Sequence, residues 1–161
     1  MACCGIKLRI TFAVIGVLCG FCAPIFALQF QNWNAGLLCL VSGLFAAATL
    51  ALHIAYAKGS LVRCRPYLRT IMLIGCFGQL IGSCAFVAYI ALASVLGQGL
   101  GDVHGENYWV AMVWGWMTFK WGFQLFWFAR MYLREYERIP LLSKTEQQTD
   151  YYSTDEKHQI I

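Results

Sequence analysis

Four long apolar stretches limit how this chain can fold more than any other feature of its sequence. They cover about residues 10–30, 35–57, 68–96 and 108–133 of 161. A helix that crosses a bilayer needs about 20 mostly apolar residues, so each stretch is long enough. Only 12% of the residues are charged, whereas roughly a quarter are charged in a soluble domain. We therefore predict an all-α polytopic membrane protein in which residues 1–142 form a bundle of four transmembrane helices.

The distribution of Lys and Arg predicts the orientation of these helices. Basic residues occur before the first span, between the second and third spans, and after the fourth, while the other two loops have none. Loops rich in Lys and Arg stay on the cytosolic side of a membrane. Both termini and the second loop are therefore predicted to be cytosolic. The basic residues nearest the ends of the spans are Lys7, Arg9, Lys58, Arg63, Arg65, Arg69, Arg130, Arg134 and Arg138.

Two pairs of glycines predict where the helices pack closely. Gly16 and Gly20 lie in the first span, and Gly78 and Gly82 lie in the third. Small residues four apart let helix backbones approach each other in a membrane. The pattern indicates packing and carries no information about chemistry.

His53 is an ionisable residue deep in the second span. It lies on one helical face with Ser42, Thr49 and Tyr56, because these residues are seven, four and three positions apart. Ionisable side chains at membrane depth are costly and are often functional, and a neutral imidazole is a good iron ligand. A histidine that only joins helices by hydrogen bonds would show the same pattern, so both interpretations stay open.

Lys120 lies near the middle of the fourth span, in a stripe that recurs every four residues. It could pair with an anionic substrate, with the face that carries His53, or with the ring of Trp116. It could equally be an internal hydrogen-bonding group that fixes the bundle. The stripe consists of Tyr108, Met112, Trp116, Lys120 and Gln124.

Two further candidate sites lie at the predicted membrane edges. His104 is in the predicted exoplasmic loop, in the sequence Gly-Asp-Val-His-Gly-Glu, where it could capture a ligand or belong to a solvated turn. At the other edge the fourth span ends in Phe128-Ala-Arg130-Met-Tyr132. A cation between aromatic rings could bind a ligand, although such groups also anchor helix ends.

Several classes of protein are disfavoured by the motifs that the sequence lacks. It contains no phosphate-binding P-loop, no His-Glu-x-x-His and no Gly-x-Ser-x-Gly. Acidic residues occur only in the third loop and after the fourth span, which argues against an intramembrane hydrolase and a carboxylate-based proton carrier. We expect neither an enzyme nor a nucleic-acid partner. Heme suits the remaining groups: His for iron, rings for the macrocycle, and Lys or Arg for the propionates.

Three segments of the chain resemble the heme-responsive gene (HRG) family of small heme transporters. The fourth span contains Phe119-Lys120-Trp121 and ends in a segment similar to the family's Phe-Ala-Arg-Lys-Tyr motif, with Met131 in place of Lys. In the second span, His53 is followed by the aromatic Tyr56, as in the family. The resemblance covers about residues 8–142.

The resemblance implies that heme is carried into the cytosol from the cell exterior or from an endolysosomal lumen. His104 would capture heme and His53 would bind it within the membrane, both through iron, while Phe128, Arg130 and Tyr132 would form the cytosolic exit. Heme would then be the transported substrate, with no fixed cofactor. Four helices enclose little room for heme, so we expect a homo-oligomer or a path along a helix surface.

Two other functions stay open on the sequence. A four-span scaffold protein usually has a large exoplasmic loop with paired cysteines, and both exoplasmic loops predicted here are short and lack cysteine. A heme-linked membrane redox protein would retain its heme, whereas a transporter binds it reversibly.

The C-terminal segment predicts where the protein resides. Residues 143–161 are dominated by polar and charged residues and are predicted to be a disordered cytosolic tail. Just before the tail lie an acidic dileucine pattern and a tyrosine-based pattern. Such patterns bind sorting adaptors and predict endosome or lysosome membranes, with the plasma membrane second. The residues are Glu137, Leu141 and Leu142 in the first pattern, and Tyr136 and Ile139 in the second.

Overall fold

The computed structural model describes the chain over residues 2–61, 65–99 and 105–158. In these residues every regular element is helical. From residue 138 onward only the backbone is described. The four long helices are α1 (Ala2–Gln29), α2 (Trp33–Ala57), α3 (Leu68–Val95) and α4 (Tyr108–His158), and a short 3-10 turn (Arg65–Tyr67) leads into α3.

The helices follow the predicted spans most closely for α2 and α3. Helix α1 begins at Ala2 rather than near residue 10. The residues before the apolar stretch therefore continue its helix. Helix α4 continues past residue 133 to His158. Its backbone therefore includes most of the segment predicted to be disordered, while the side chains there lie outside the described residues. The disordered tail stays a prediction.

Three of the helices are long and apolar enough to cross a membrane. Among the described residues these are Gly5–Gln29, Trp33–Ala57 and Leu68–Val95. Helix α4 is not one of these three, because its apolar stretch contains Lys120 and Gln124 and is rich in aromatic residues. The chain is thus an all-α membrane protein, while the fourth span and the side on which the termini lie stay predictions.

Helices α2 and α4 form the middle of the bundle. Helix α4 packs against both α2 and α3, and α1 packs against α2. Half of the apolar stretch of α2 is buried, against less than a fifth for α1 and α3. The outer faces of α1 and α3 carry exposed apolar side chains such as Leu18 and Phe77, as expected of helices in contact with lipid.

All four predicted glycines lie at helix contacts, which confirms the packing prediction. A Cβ atom on Gly20 would overlap the backbone of Gly43 in α2, and one on Gly82 would overlap the backbone of Phe119 in α4. Gly16 faces the ring of Trp121, and Gly78 faces a ring on α2. The close approach of the helices therefore depends on these positions having no side chain.

We expect Gly20→Ala to destabilise the protein by about 1–3 kcal/mol, because the added methyl group meets the backbone of α2 and α1 must move away. Thermal unfolding in detergent would measure the loss. Gly5→Ala is the matched control, since no atom lies within 4 Å of the added carbon. Equal melting temperatures for the two variants would contradict the close contact.

A set of hydrogen bonds, here called the loop clasp, joins the segment before α4 to the start of α2. The Glu106 carboxylate accepts from the backbone N–H of Trp33 at 3.0 Å and from the Asn34 amide at 2.8 Å. The Asn32 amide donates to the carbonyl of Asn107 at 3.0 Å. Because Asn32 also caps α2 through Ala35 N–H, the clasp fixes both loops at the end predicted to be exoplasmic.

Replacing Glu106 by Ala should destabilise the protein by about 1–2 kcal/mol, because the first N–H groups of α2 lose a charged acceptor. The loss would appear as a lower melting temperature. Glu137→Ala removes an exposed carboxylate from α4 and should leave the melting temperature nearly unchanged. Equal melting temperatures for Glu106→Ala and Glu137→Ala would show that the Glu106 carboxylate does not stabilise the start of α2.

Candidate functional site

The polar side chains on one face of α2, here called the polar stripe, face the interior of the bundle. Ser42, Thr49 and His53 are all buried, and His53 is only 1% exposed. Tyr56, one turn further on, is half-buried. Since α2 lies in the middle of the bundle, the stripe points towards α4, and His53 meets that helix close to its aromatic-arginine segment.

The partners of His53 come from the segment Phe128-Ala-Arg-Met-Tyr132. The His53 Nδ1 atom lies 2.9 Å from the Tyr132 hydroxyl, and Phe128 packs edge-on against the imidazole with ring centroids 4.5 Å apart. Phe128 and Tyr132 are four residues apart, so both point from the same face of α4. Two segments selected independently in the sequence thus meet in the structure.

The hydrogen bond to Tyr132 determines what His53 can do. If Nδ1 donates its proton to the Tyr132 oxygen, Nε2 carries no proton and can ligate a metal. If the Tyr132 hydroxyl donates instead, Nε2 carries the proton and cannot ligate a metal. The bond gives the buried imidazole the hydrogen-bond partner that a purely structural histidine needs. In the first tautomer it also leaves Nε2 free to ligate iron.

Tyr56 and Glu135 extend this contact towards the surface. The ring of Tyr56 stacks on that of Tyr132, with centroids 4.0 Å apart and planes 13° apart. The Tyr56 hydroxyl donates to the Glu135 carboxylate, at 3.0 and 3.1 Å from its two oxygens. A continuous chain of contacts thus runs from buried His53 to a charged group on the surface of α4.

Arg9 of α1 completes the group of side chains around His53. Its guanidinium lies 4.9 Å from the centroid of the Phe128 ring, which itself packs against His53. From the sequence, Arg9 indicated only the orientation of the first span, because no local sequence pattern shows that α1 brings this residue close to α4. We call this group the His53 cluster, which comprises Arg9, His53, Tyr56, Phe128 and Tyr132.

Arg130 lies away from the His53 cluster. It is exposed and lines a groove of about 490 Å³ on the surface of α4, a volume within the usual range of small-molecule sites. The resemblance implied that Phe128, Arg130 and Tyr132 act together, yet the helix period turns Arg130 away from the other two. We call the groove the arginine groove; it is lined by Trp127, Arg130, Met131, Arg134 and Glu135.

Lys120 pairs with a ring that the sequence did not indicate. Its Nζ atom lies 4.9 Å from the centroid of Trp121, whereas the sequence suggested Trp116. Trp121 is buried and meets Gly16 of α1. The contact favours a cation–π interaction at this position, and Lys120 is half-buried.

The other predicted site residues are only partly described. His104 lies outside the described residues, although the adjoining Gly105 donates a backbone hydrogen bond to Phe30 at 2.9 Å. Of the sorting residues, Glu137 is exposed. The side chains of Tyr136, Ile139, Leu141 and Leu142 are outside the description.

The described part of the chain holds no group of three or more His, Cys, Asp or Glu that could bind a metal ion.

Comparison with known proteins identifies the family. Residues 68–121 match the family described as "Haem-transporter, endosomal/lysosomal, haem-responsive gene". Over 131 residues the chain is 35% identical to the protein named heme transporter hrg-1 of Caenorhabditis elegans, an alignment that covers 79% of this chain and 68% of that protein. The chain belongs to the HRG family. The family predicted from the sequence is thereby confirmed.

Other HRG proteins of the same organism are also similar. The chain is 30% identical to heme transporter hrg-4 over 156 residues, covering 82% of this chain and 83% of that protein. It is 26% identical to heme transporter hrg-6 over 136 residues, covering 81% and 83%. No solved structure matches the chain. The matched family region includes Phe119-Lys120-Trp121, whereas His53 and the segment 128–132 lie outside it.

Tyr132→Phe should destabilise the protein by about 1–3 kcal/mol, because it leaves the buried Nδ1 of His53 without its partner. Thermal unfolding of the purified chain would measure the effect. Tyr67→Phe provides the control, since it makes the same change on an exposed ring. A Tyr132→Phe protein as stable as the control would show that the hydrogen bond contributes nothing.

Proposed function

We propose that this chain transports heme across a membrane into the cytosol. The observation that carries the proposal is the contact between His53 and Tyr132. It joins an intramembrane histidine to the aromatic-arginine segment in a chain whose relatives are named heme transporters. A buried iron ligand beside aromatic rings, with arginines nearby, suits a flat macrocycle that carries iron and two carboxylates.

The proposal includes α4 as a fourth span. Tyr108, Phe119 and Phe126 of α4 contact Tyr89, Gly82 and Gly75 of α3 in turn. Such antiparallel contacts from residue 108 to residue 126 extend about 27 Å along the helix, close to the thickness of a bilayer core. A helix packed along a spanning helix over that length lies at the same depth. With four spans, the basic residues put both termini in the cytosol.

Each candidate residue has a role in this route. His104 captures heme on the exoplasmic side, and His53 ligates it within the membrane. Phe128 and Tyr132 flank the imidazole, and Arg130 in the arginine groove receives the propionates at the cytosolic end. Heme is the substrate that moves, the protein holds no fixed cofactor, and it is not an enzyme.

The closed state of the His53 cluster bears on how heme moves. His53 is 1% exposed, so heme reaches it only if α2 and α4 part or if a second copy of the chain alters the bundle. We infer a homo-oligomer on this ground. The sorting patterns near residue 140 recruit adaptors that direct the protein to endosomes and lysosomes, with the plasma membrane as the second destination.

Heme uptake by cells that cannot synthesise heme tests the proposal. We expect His53→Ala and His104→Ala each to lower uptake about tenfold, which corresponds to losing roughly 1.4 kcal/mol of ligation free energy. Uptake is expressed per amount of protein at the membrane, because His53→Ala also removes a buried hydrogen bond. His158→Ala is the matched control, because it removes the third histidine of the chain, which lies at the end of α4.

Normal uptake by the double variant at normal abundance would contradict the ligand assignments. Purification of the wild-type chain with stoichiometric heme and a fixed absorbance spectrum would instead favour a heme-linked redox protein. Reversible binding during a heme titration is the result expected of a transporter.

A further inference from the structure

One outward face of α4 carries a row of stacked aromatic rings, here called the aromatic stripe. Its members are three, four and four residues apart, so they lie on one side of the helix. Successive ring centroids are 5.3, 6.4 and 5.9 Å apart, and the planes differ by 26°, 18° and 26°. The rings are thus stacked on one another along the helix, and a row of aromatic edges faces outward. The stripe consists of Trp116, Phe119, Phe123 and Trp127.

The aromatic stripe is open on its outer side. Trp116, Phe123 and Trp127 are 50%, 43% and 53% exposed. Contact with lipid needs only aliphatic side chains, and the outer faces of α1 and α3 use mainly Leu, Ile and Val for it. Tryptophan prefers the membrane interface, yet Trp116 lies one turn from Lys120, near the middle of the proposed span. Lipid contact alone does not account for this choice of residues.

The aromatic stripe leads directly into the arginine groove. Trp127 belongs to both, and Arg130 and Arg134 follow it at spacings of three and four on the same side of α4. One helix face therefore offers a row of aromatic edges, which pack favourably against the face of a planar ring, followed by two guanidinium groups. The ligand complementary to that order has a planar apolar body and carboxylates at one edge.

We propose that the aromatic stripe binds the porphyrin ring of heme and guides it along the outside of the bundle to the arginine groove. This inference rests on the proposed function and adds to it the surface on which the macrocycle moves. The ring lies against the stripe with its propionates towards Arg130 and Arg134. Contact of the macrocycle with the stripe does not require α2 and α4 to part; only ligation of its iron by the enclosed His53 does.

Binding of hemin and of metal-free protoporphyrin IX to the purified full-length chain in lipid nanodiscs tests this inference. We expect Trp116→Leu and Phe123→Leu each to weaken binding of both porphyrins about fivefold, the typical effect of losing one contact between aromatic rings. Phe77→Leu is the matched control, since Phe77 is 56% exposed on α3 and lies outside the stripe; its binding should equal that of the wild type. His53→Ala probes the separate iron site of the proposed function, so it should weaken binding of hemin and spare protoporphyrin, which has no iron.

The outcomes separate this inference from the proposed function. Wild-type binding of hemin with unchanged binding by both stripe variants would overturn the stripe and leave heme transport standing. Failure of the wild type to bind either porphyrin would remove the proposed function itself. An equal loss in Phe77→Leu would show that any lipid-facing ring has the same effect, and would overturn the stripe as a specific surface.

Two further results bear on the aromatic stripe. If the stripe variants turned an oligomer into a monomer, the rings would be an interface between copies and the proposal would fall. Phe123→Trp keeps and enlarges the ring, so it should bind protoporphyrin at least as well as the wild type. If Phe123→Trp bound protoporphyrin as weakly as is expected for Phe123→Leu, the proposal would also be overturned. This variant tests the stripe even if the leucine variants do not accumulate in the cell.

Discussion

Backbone contact between α3 and α4 determines where the side chains of α4 can point. Gly75 and Gly82 of α3 lie against the backbone of α4, and Gly115 of α4 lies against that of α3. In a membrane, lipid competes equally well for apolar side chains, so close backbone packing is a main source of helix association. With α4 held at this distance, one of its sides faces α2 and another faces outward.

This placement turns the segment Phe128-Ala-Arg-Met-Tyr132 towards two different surroundings. Successive residues of a helix are about 100° apart, so residues four apart share a face and residues two apart do not. Phe128 and Tyr132 therefore meet His53, while Arg130 joins the arginine groove. A motif that is continuous in sequence is divided between a buried contact with His53 and an open groove.

Burial of polar groups explains why both ends of the bundle are ordered by hydrogen bonds. No buried side-chain nitrogen or oxygen among the described residues lacks a hydrogen-bond partner, as expected where an unpaired polar group is costly. At one end His53 is satisfied by Tyr132, and at the other Glu106 is satisfied at the start of α2.

Periodicity in the sequence determined the helices, the inward face of α2 and the glycine contacts. Each of these depends on residues within a few turns of one another, and the helix repeat alone converts their spacing into a shared face. The family, too, was readable from short local segments. The clasp at Glu106, the position of Arg9 over Phe128 and the pairing of Lys120 with Trp121 were not, because each depends on how whole helices pack or on a choice between neighbouring rings. Only the tertiary structure decided them, since many helix arrangements fit the same pattern and backbone contact at a few glycines selects one.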